Sequence, residues 1–189
     1  MPLKFPVEAI RGQVVELNAN SVSHQINKTI NAAVHVTSAI NSKHYLGATY
    51  PRVSNELAVN QNDNRNLFKS LNTVCPEMFT EDDYSDAWVG FRTMSKDRAP
   101  IVGAIADEGF FNKEYADICH GKVNKSYQAA HYLKGLYISA AHGSRGFTSS
   151  FLCAEIVAAQ IDGEPAPVSK SVLDYLNPSR FIVNNLKHR

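Results

Sequence analysis

The chain has 189 residues, of which 44% are hydrophobic and 20% are charged, and its formal net charge is +1. This composition is that of an ordinary globular protein, and a net charge near zero supplies no global basic field for nucleic acid. No apolar run approaches the roughly 18 residues of a membrane span, and the N-terminus lacks a signal-peptide pattern. We therefore expect a soluble, cytoplasmic protein.

The cysteines and histidines argue against a metal centre and against disulfides. The three cysteines lie far apart and form no C-x-x-C pair, and the seven histidines form no H-x-x-x-H or Cys/His cluster. This pattern is typical of reduced thiols in a cytosolic setting. We expect no metal site.

The first half of the chain is organised around strands. Residues 7–17 read as a strand, and residues 32–40 and 43–50 are two more, joined by a hairpin turn at Asn41-Ser42. An amphipathic helix over residues 62–74 precedes another strand at residues 87–93, which is the last strand predicted for this lobe. Consecutive strands with short turns indicate an antiparallel sheet, so we predict one lobe over residues 1–93.

The second half, residues 94–189, reads as an α/β piece. A charged turn at residues 95–98 leads into an apolar strand that contains proline and glycine. Residues 107–124 read as a loop, and residues 126–133 as a helix beneath the next strand. That strand, residues 136–141, is apolar enough to be buried on both faces.

A glycine turn, His142-Gly143-Ser144-Arg145-Gly146, follows this strand. Thr148, Ser149 and Ser150 are candidate caps for a helix over residues 151–161, which Gly163 ends. A strand, a glycine turn and a helix together aim free backbone N–H groups at an anionic or polar ligand. A turn that serves packing alone is the alternative. The rest of the chain is predicted as proline-rich coil, a helical turn at residues 172–176 and a basic tail.

Three segments resemble, in order and spacing, the second half of the flavin-dependent amine and amino-acid oxidases of the D-amino-acid-oxidase type. They are residues 10–14 (IRGQV), residues 89–103 with Arg92 and Arg98, and the glycine turn with its helix. The C-terminal motifs are similar to one branch, the oxidoreductase domain of the bacterial bifunctional enzymes that make 5-methylaminomethyl-2-thiouridine in tRNA. These motifs are HGSRG at 142–146, AEI at 154–156, GEP at 163–165 and LNPSRF at 176–181.

The resemblance implies an incomplete α+β fold. It would consist of an antiparallel-sheet substrate lobe and the C-terminal β-α part of a Rossmann-like FAD-binding domain. The chain has no G-x-G-x-x-G sequence, which in such domains holds the ADP part of the dinucleotide. We therefore expect a piece of a longer enzyme, with the first half of the flavin domain and a methyltransferase domain that uses S-adenosylmethionine lying elsewhere.

The resemblance also implies the reaction and the site. The family branch holds FAD and removes the carboxymethyl group from 5-carboxymethylaminomethyl-(2-thio)uridine at the tRNA wobble position. The flavin carries the chemistry, so we expect no catalytic side chain. The expected cofactor-binding residues are Gly143, Ser144, Arg145, Gly146, Phe147 and Thr148, and the candidates for binding the substrate carboxylate are Arg145, Arg92, Arg98 and Arg11.

Two other functions remain open on the sequence. In the first alternative, the chain is part of an oxidase for a free small amine such as glycine or sarcosine. In the second, it is an isolated, non-catalytic fragment that does not hold FAD. A basic tail formed by Arg180, Lys187, His188 and Arg189 is a candidate tRNA contact, although a short terminal charge run is more often simply solvated. We also expect self-association through the α/β piece, which would expose an apolar surface.

Overall fold

The structure is a computed structural model, and it describes residues 5–50, 56–121 and 125–188. The chain folds into two compact units. One comprises Ala9–Arg92, and the other combines the residues before Ala9 with those after Arg92. We expected a single boundary after residue 93, so the structure differs in placing the first residues with the second half.

The unit Ala9–Arg92 contains a five-stranded sheet. Its strands are β1 (Val7–Asn18), β2 (Ile30–Asn31), β3 (His35–Val36), β4 (Lys43–Gly47) and β5 (Tyr84–Ser95), in the order β2-β3-β4-β1-β5. The pairs β1–β4, β3–β4 and β2–β3 are antiparallel, as predicted. Asn41 and Ser42 have φ angles of 51° and 60°, which are those of the predicted tight hairpin turn. The two strands beside this turn are shorter than expected.

Helix α1 (Gln61–Val74) covers one face of this sheet. Its apolar stripe of Leu67, Phe68 and Leu71 packs into one core with strand residues that include Val15 and Leu46. The Asn60 side chain accepts a hydrogen bond from the N–H of Asn62 and so caps the helix. The helix ends before Cys75-Pro76, as the sequence predicts.

The second unit is built on a two-stranded antiparallel sheet of β6 (Ile101–Ala106) and β7 (Tyr132–Ala140). The α-helices that accompany it in the described residues are α2 (Glu108–Glu114), α3 (Gly146–Asp162), α4 (Lys170–Leu176) and α5 (Arg180–Lys187). Helix α3 packs on the sheet through Cys153 and Ile156, which share a core with Val102 and Leu176. Gly163, with a φ of 71°, ends α3 in the left-handed conformation that glycine tolerates.

Several sequence predictions for this unit are wrong. The expected loop at residues 107–124 contains α2, whose N-cap Asp107 accepts a hydrogen bond from the N–H of Phe110. Of the expected helix at residues 126–133, the first six residues are irregular and the last two begin β7. The C-terminal residues that we expected to form an irregular tail form helix α5, in which Leu186 is completely buried. Apolar periodicity alone did not distinguish these short segments because tertiary packing decides them.

Two further differences concern the strand and helix beside the glycine turn. The strand expected over residues 136–141 was predicted to be buried on both faces, yet Leu136 at its start is 42% exposed. Helix α3 begins at Gly146, five residues earlier than predicted. The hydroxyls of Thr148 and Ser149 do not cap it, because both donate back to the carbonyl of Arg145.

Candidate functional site

The face of the five-stranded sheet opposite α1 carries polar and aromatic side chains. Side chains alternate along a strand, so residues 12, 14 and 16 of β1 lie on this face while residues 13, 15 and 17 lie under α1. The register places Val14 opposite Gly47 and Glu16 opposite Tyr45. Trp88 of β5 contacts Tyr45 with ring centroids 5.5 Å apart, and by alternation Gly90 and Arg92 follow on the same face. We call this surface the open face.

Arg92 lies flat on the open face, directly over Gly12. A Cβ atom added to Gly12 would lie 2.6 Å from Cζ of Arg92 and closer still to Nη1. The ring of Tyr50 holds the guanidinium in a cation–π contact at 4.6 Å, and the carbonyl of Thr49 lies 3.5 Å from Nη1. Any side chain at position 12 would therefore displace the Arg92 guanidinium, and the clamp of Gly12 and Tyr50 orients Arg92.

His35 lies beside this clamp, over a second glycine. Its Nε2 would be 3.0 Å from a Cβ atom added to Gly47, the residue opposite it on β4. Burial lowers the pKa of His35 below its ordinary value, and the positive charge of Arg92 lowers it further. No sequence pattern marks His35, because β3 has only two residues and shows no alternation that identifies a face.

Arg11, the fourth substrate candidate, points to the opposite face of the sheet. It is 2% exposed, and its Nη1 forms an ion pair with Asp63 of α1 at 2.5 Å. Its other guanidinium nitrogens donate to the carbonyls of Glu56 and Ala58 and to Gln13 Oε1. This geometry gives Arg11 a structural role beneath α1, away from Arg92.

The glycine turn lies in the second unit. Gly143 has a φ of 57°, and the turn continues into α3, whose N-cap Arg145 makes no side-chain capping hydrogen bond. His142 stiffens the turn, since its Nδ1 lies 2.9 Å from Ser149 Oγ and its Nε2 lies 3.2 Å from Ser139 Oγ. Because Ser149 Oγ donates to the carbonyl of Arg145, it accepts from Nδ1–H of His142.

The remaining predicted residues also lie in this unit. Ser144, Arg145, Phe147 and Thr148 are exposed around the start of α3. Arg98 is exposed in the turn between β5 and β6 and has a φ of 62°. Arg180 of the expected basic tail is instead bound to Asp97 and to the carbonyl of Ala99, and Arg189 lies outside the described residues.

The chain belongs to the family of FAD-dependent oxidoreductases of the D-amino-acid-oxidase (DAO) type, whose family model matches residues 1–160. It is 34% identical over 185 residues to the tRNA 5-methylaminomethyl-2-thiouridine biosynthesis bifunctional protein MnmC of Leptospira interrogans, covering 97% of this chain and 29% of that protein. The chain thus spans less than a third of this relative's length, and the family resemblance seen in the sequence is confirmed.

Solved structures show the same fold. Glycine oxidase from Geobacillus kaustophilus matches with a TM-score of 0.71 at 18% identity, over 94% of this chain and 40% of that chain. Iminodiacetate oxidase from Chelativorans matches with a TM-score of 0.69 at 20% identity, over 93% of this chain and 41% of that chain. The predicted fold class, an incomplete α+β flavoenzyme fold, is confirmed.

The residues present fit a part of FAD. The start of the 17-residue helix α3 presents backbone N–H groups that no side chain caps, and such groups suit the carbonyl-rich edge of a flavin ring. Among the residues that the structure describes, no group of three His, Cys, Asp or Glu side chains is arranged to hold a metal ion. Over the same residues, no helix is both long and apolar enough to cross a membrane.

Proposed function

We propose that this chain is part of an FAD-dependent oxidoreductase that removes the carboxymethyl group from 5-carboxymethylaminomethyl-(2-thio)uridine at the wobble position of tRNA. The observation that carries the proposal is the similarity to the Leptospira interrogans protein along 97% of this chain, since that protein is named for biosynthesis of a methylaminomethyl-thiouridine in tRNA. In this proposal Ala9–Arg92 is the substrate-binding lobe and the rest belongs to the FAD-binding domain.

Arg92 is the proposed ligand of the substrate carboxylate. Its guanidinium is fixed by Gly12 and Tyr50, and an oriented guanidinium binds a carboxylate through two parallel hydrogen bonds. Arg145 is the second candidate, because it is exposed at the start of α3. Arg98 is a weaker candidate in its exposed turn, and the engagement of Arg11 with Asp63 argues against that residue.

The glycine turn is the proposed flavin contact. FAD, when bound, supplies the oxidation by accepting a hydride equivalent from the carbon beside the amine nitrogen. Gly143–Thr148 would contact the flavin, and the start of α3 would contribute N–H donors and the positive end of the helix dipole, which stabilise negative charge on a flavin ring. The N–H of Arg145 is not one of these donors, because it donates to the carbonyl of His142. No side-chain nucleophile is required. Methylation with S-adenosylmethionine belongs in this proposal to a separate domain.

The experiment supplies the chain with the complementary part of the flavin domain from the longer relatives and FAD. The substrate is tRNA that carries the carboxymethylaminomethyl group. We expect mass analysis of the nucleosides to show conversion to the aminomethyl form, and Arg92→Lys to reduce this conversion by at least tenfold because Lys lacks the bidentate geometry. Gly90→Ala is the control, since a Cβ atom there meets nothing within 4 Å.

Two outcomes would contradict the proposal. Oxidation of free glycine or sarcosine without any change in the tRNA would assign the protein to the small-amine oxidases. Absence of flavin absorbance in the reconstituted protein would support the non-catalytic alternative. The chain by itself is expected to bind FAD weakly, because it lacks the G-x-G-x-x-G sequence.

A further inference from the structure

Two glycines on neighbouring strands of the open face each lie beneath a nitrogen-bearing side chain. The guanidinium of Arg92 covers Gly12 of β1, and the imidazole of His35 covers Gly47 of β4. Val14 is opposite Gly47, so Gly12 is the diagonal neighbour of Gly47. Diagonal neighbours on one sheet face are roughly 7–8 Å apart.

The charges around His35 favour its neutral form. Arg92 is the cation that lowers its pKa, after burial. Of the other charged side chains on the open face, Glu16 is paired with Lys43 at 3.1 Å, and Asp86 lies farther along β5, exposed. Gly47 and Asn31, its strand neighbours, are uncharged. A neutral imidazole has one acceptor nitrogen, which a protonated imidazole lacks.

We propose that His35 is a second substrate-binding residue, which accepts a hydrogen bond from the amino group of an N-substituted glycine whose carboxylate binds Arg92. This inference rests on the proposed function. It assigns the carboxylate end of the substrate group to Arg92 and its amine end to His35. A glycine unit with one hydrogen bond at each end spans roughly 8 Å, which matches the separation of the two glycine positions. Arg92 selects the carboxylate, and His35 selects an amine attached one carbon away.

The test follows the His35 imidazole signals of the chain by nuclear magnetic resonance during titration with N-methylglycine and, separately, with acetate. Acetate has the carboxylate but no amine. We expect N-methylglycine to shift the His35 signals and acetate to leave them nearly unchanged, while both ligands alter the fluorescence of Trp88. Trp88 is the single tryptophan of the chain and lies on the same face.

Variants separate the two ends of the ligand. His35→Leu should weaken N-methylglycine binding about tenfold, the value of one lost hydrogen bond, with acetate binding unchanged within twofold. His35→Gln keeps an acceptor and should recover part of the loss, which a purely structural role would not produce. Gly12→Ala should weaken both ligands by displacing Arg92, and Gly90→Ala should weaken neither.

Two results would overturn the inference. If both ligands bind but the His35 signals do not respond to N-methylglycine, His35 does not bind the amine. The proposal that Arg92 binds the carboxylate would be unaffected by that result. If neither ligand perturbs Trp88 or His35, the recognition of an N-substituted glycine by this face is wrong. The tRNA assay decides the proposed function separately, because it measures conversion of the nucleoside and not binding of a small ligand.

Discussion

Arg11 and Arg92 lie on the same sheet, and their side chains point to opposite faces. Arg92 is half-buried on the open face, whereas Arg11 is enclosed beneath α1. Gln13, the next residue on the same face as Arg11, donates to the Asn64 side chain and accepts from the N–H of Asn60, the cap of α1. The pair Arg11 and Gln13 therefore fixes the start of the helix.

Arg11→Met should destabilise the chain strongly. The substitution leaves the Asp63 carboxylate and two carbonyl groups without their guanidinium partner, and breaking a buried ion pair costs about 3–5 kcal/mol. Urea unfolding measures the loss. Arg65→Met, at an exposed position of α1, is the control and should change the free energy of unfolding by less than about 0.5 kcal/mol. Equal effects of the two substitutions would contradict a structural role for Arg11.

At the scale of elements, α5 is anchored to the turn between β5 and β6. Arg180 donates through Nε and Nη2 to the two oxygens of Asp97, at 2.7 Å and 3.0 Å, and through Nη2 to the carbonyl of Ala99. Ser95 also donates to Asp97. The C-terminal helix is thereby tied to a turn more than 80 residues earlier, which no local pattern indicates.

This anchor predicts a loss of stability in acid. Hydrogen bonding to Arg180 lowers the pKa of Asp97 from 3.8 to about 2. The stabilisation is complete above pH 3.8, where the unfolded carboxyl is also ionised, and disappears as the pH falls through about 2. Asp97 is partly exposed, so the contribution is about 1 kcal/mol after screening by solvent.

Asp97→Asn should remove that contribution at neutral pH and flatten the pH dependence of unfolding between pH 3.8 and about 2. The control is Asp174→Asn, because Asp174 and Lys170 form an exposed i,i+4 pair on α4 with side chains 62% and 84% exposed. That substitution should cost less than about 0.5 kcal/mol. An unchanged acid profile for Asp97→Asn would show that the anchor does not stabilise α5.

At the scale of the whole molecule, α3 has two apolar sides. One side packs on β6 and β7, and the other exposes a stripe at helical spacing that is formed by Phe147, Phe151, Ala154, Ala158 and Ile161. Phe147 is 88% exposed, Phe151 69% and Ile161 58%. Exposed apolar patches of this kind promote association.

We therefore expect the isolated chain to self-associate. Sedimentation or light scattering should show a mass that rises with concentration, and the double substitution Phe147→Ser and Phe151→Ser should reduce it because it removes the largest exposed rings. Tyr175→Ser on α4, at a residue that is also 58% exposed but outside the stripe, should have little effect. A monomeric mass of the unsubstituted chain at high concentration would contradict the expectation.

The sequence by itself determined the family, the helix α1, the Asn41-Ser42 hairpin turn and the order of strand, glycine turn and helix. These features rest on local chemistry: apolar spacing, turn residues and short motifs that contiguous residues carry. The same local reasoning identified both Arg92 and, after it, Arg11 as candidates, because both are arginines in strand motifs.

Only the tertiary structure separated the two arginines. Side chains alternate between the faces of a strand, and which face α1 covers depends on packing between distant segments. Tertiary packing also placed His35 beside Arg92. It stabilised residues 108–114 and 180–187 as helices and paired Arg180 with Asp97. These outcomes are not local because each is stabilised by partners far away in the chain, and a sequence pattern records a residue but not its partner.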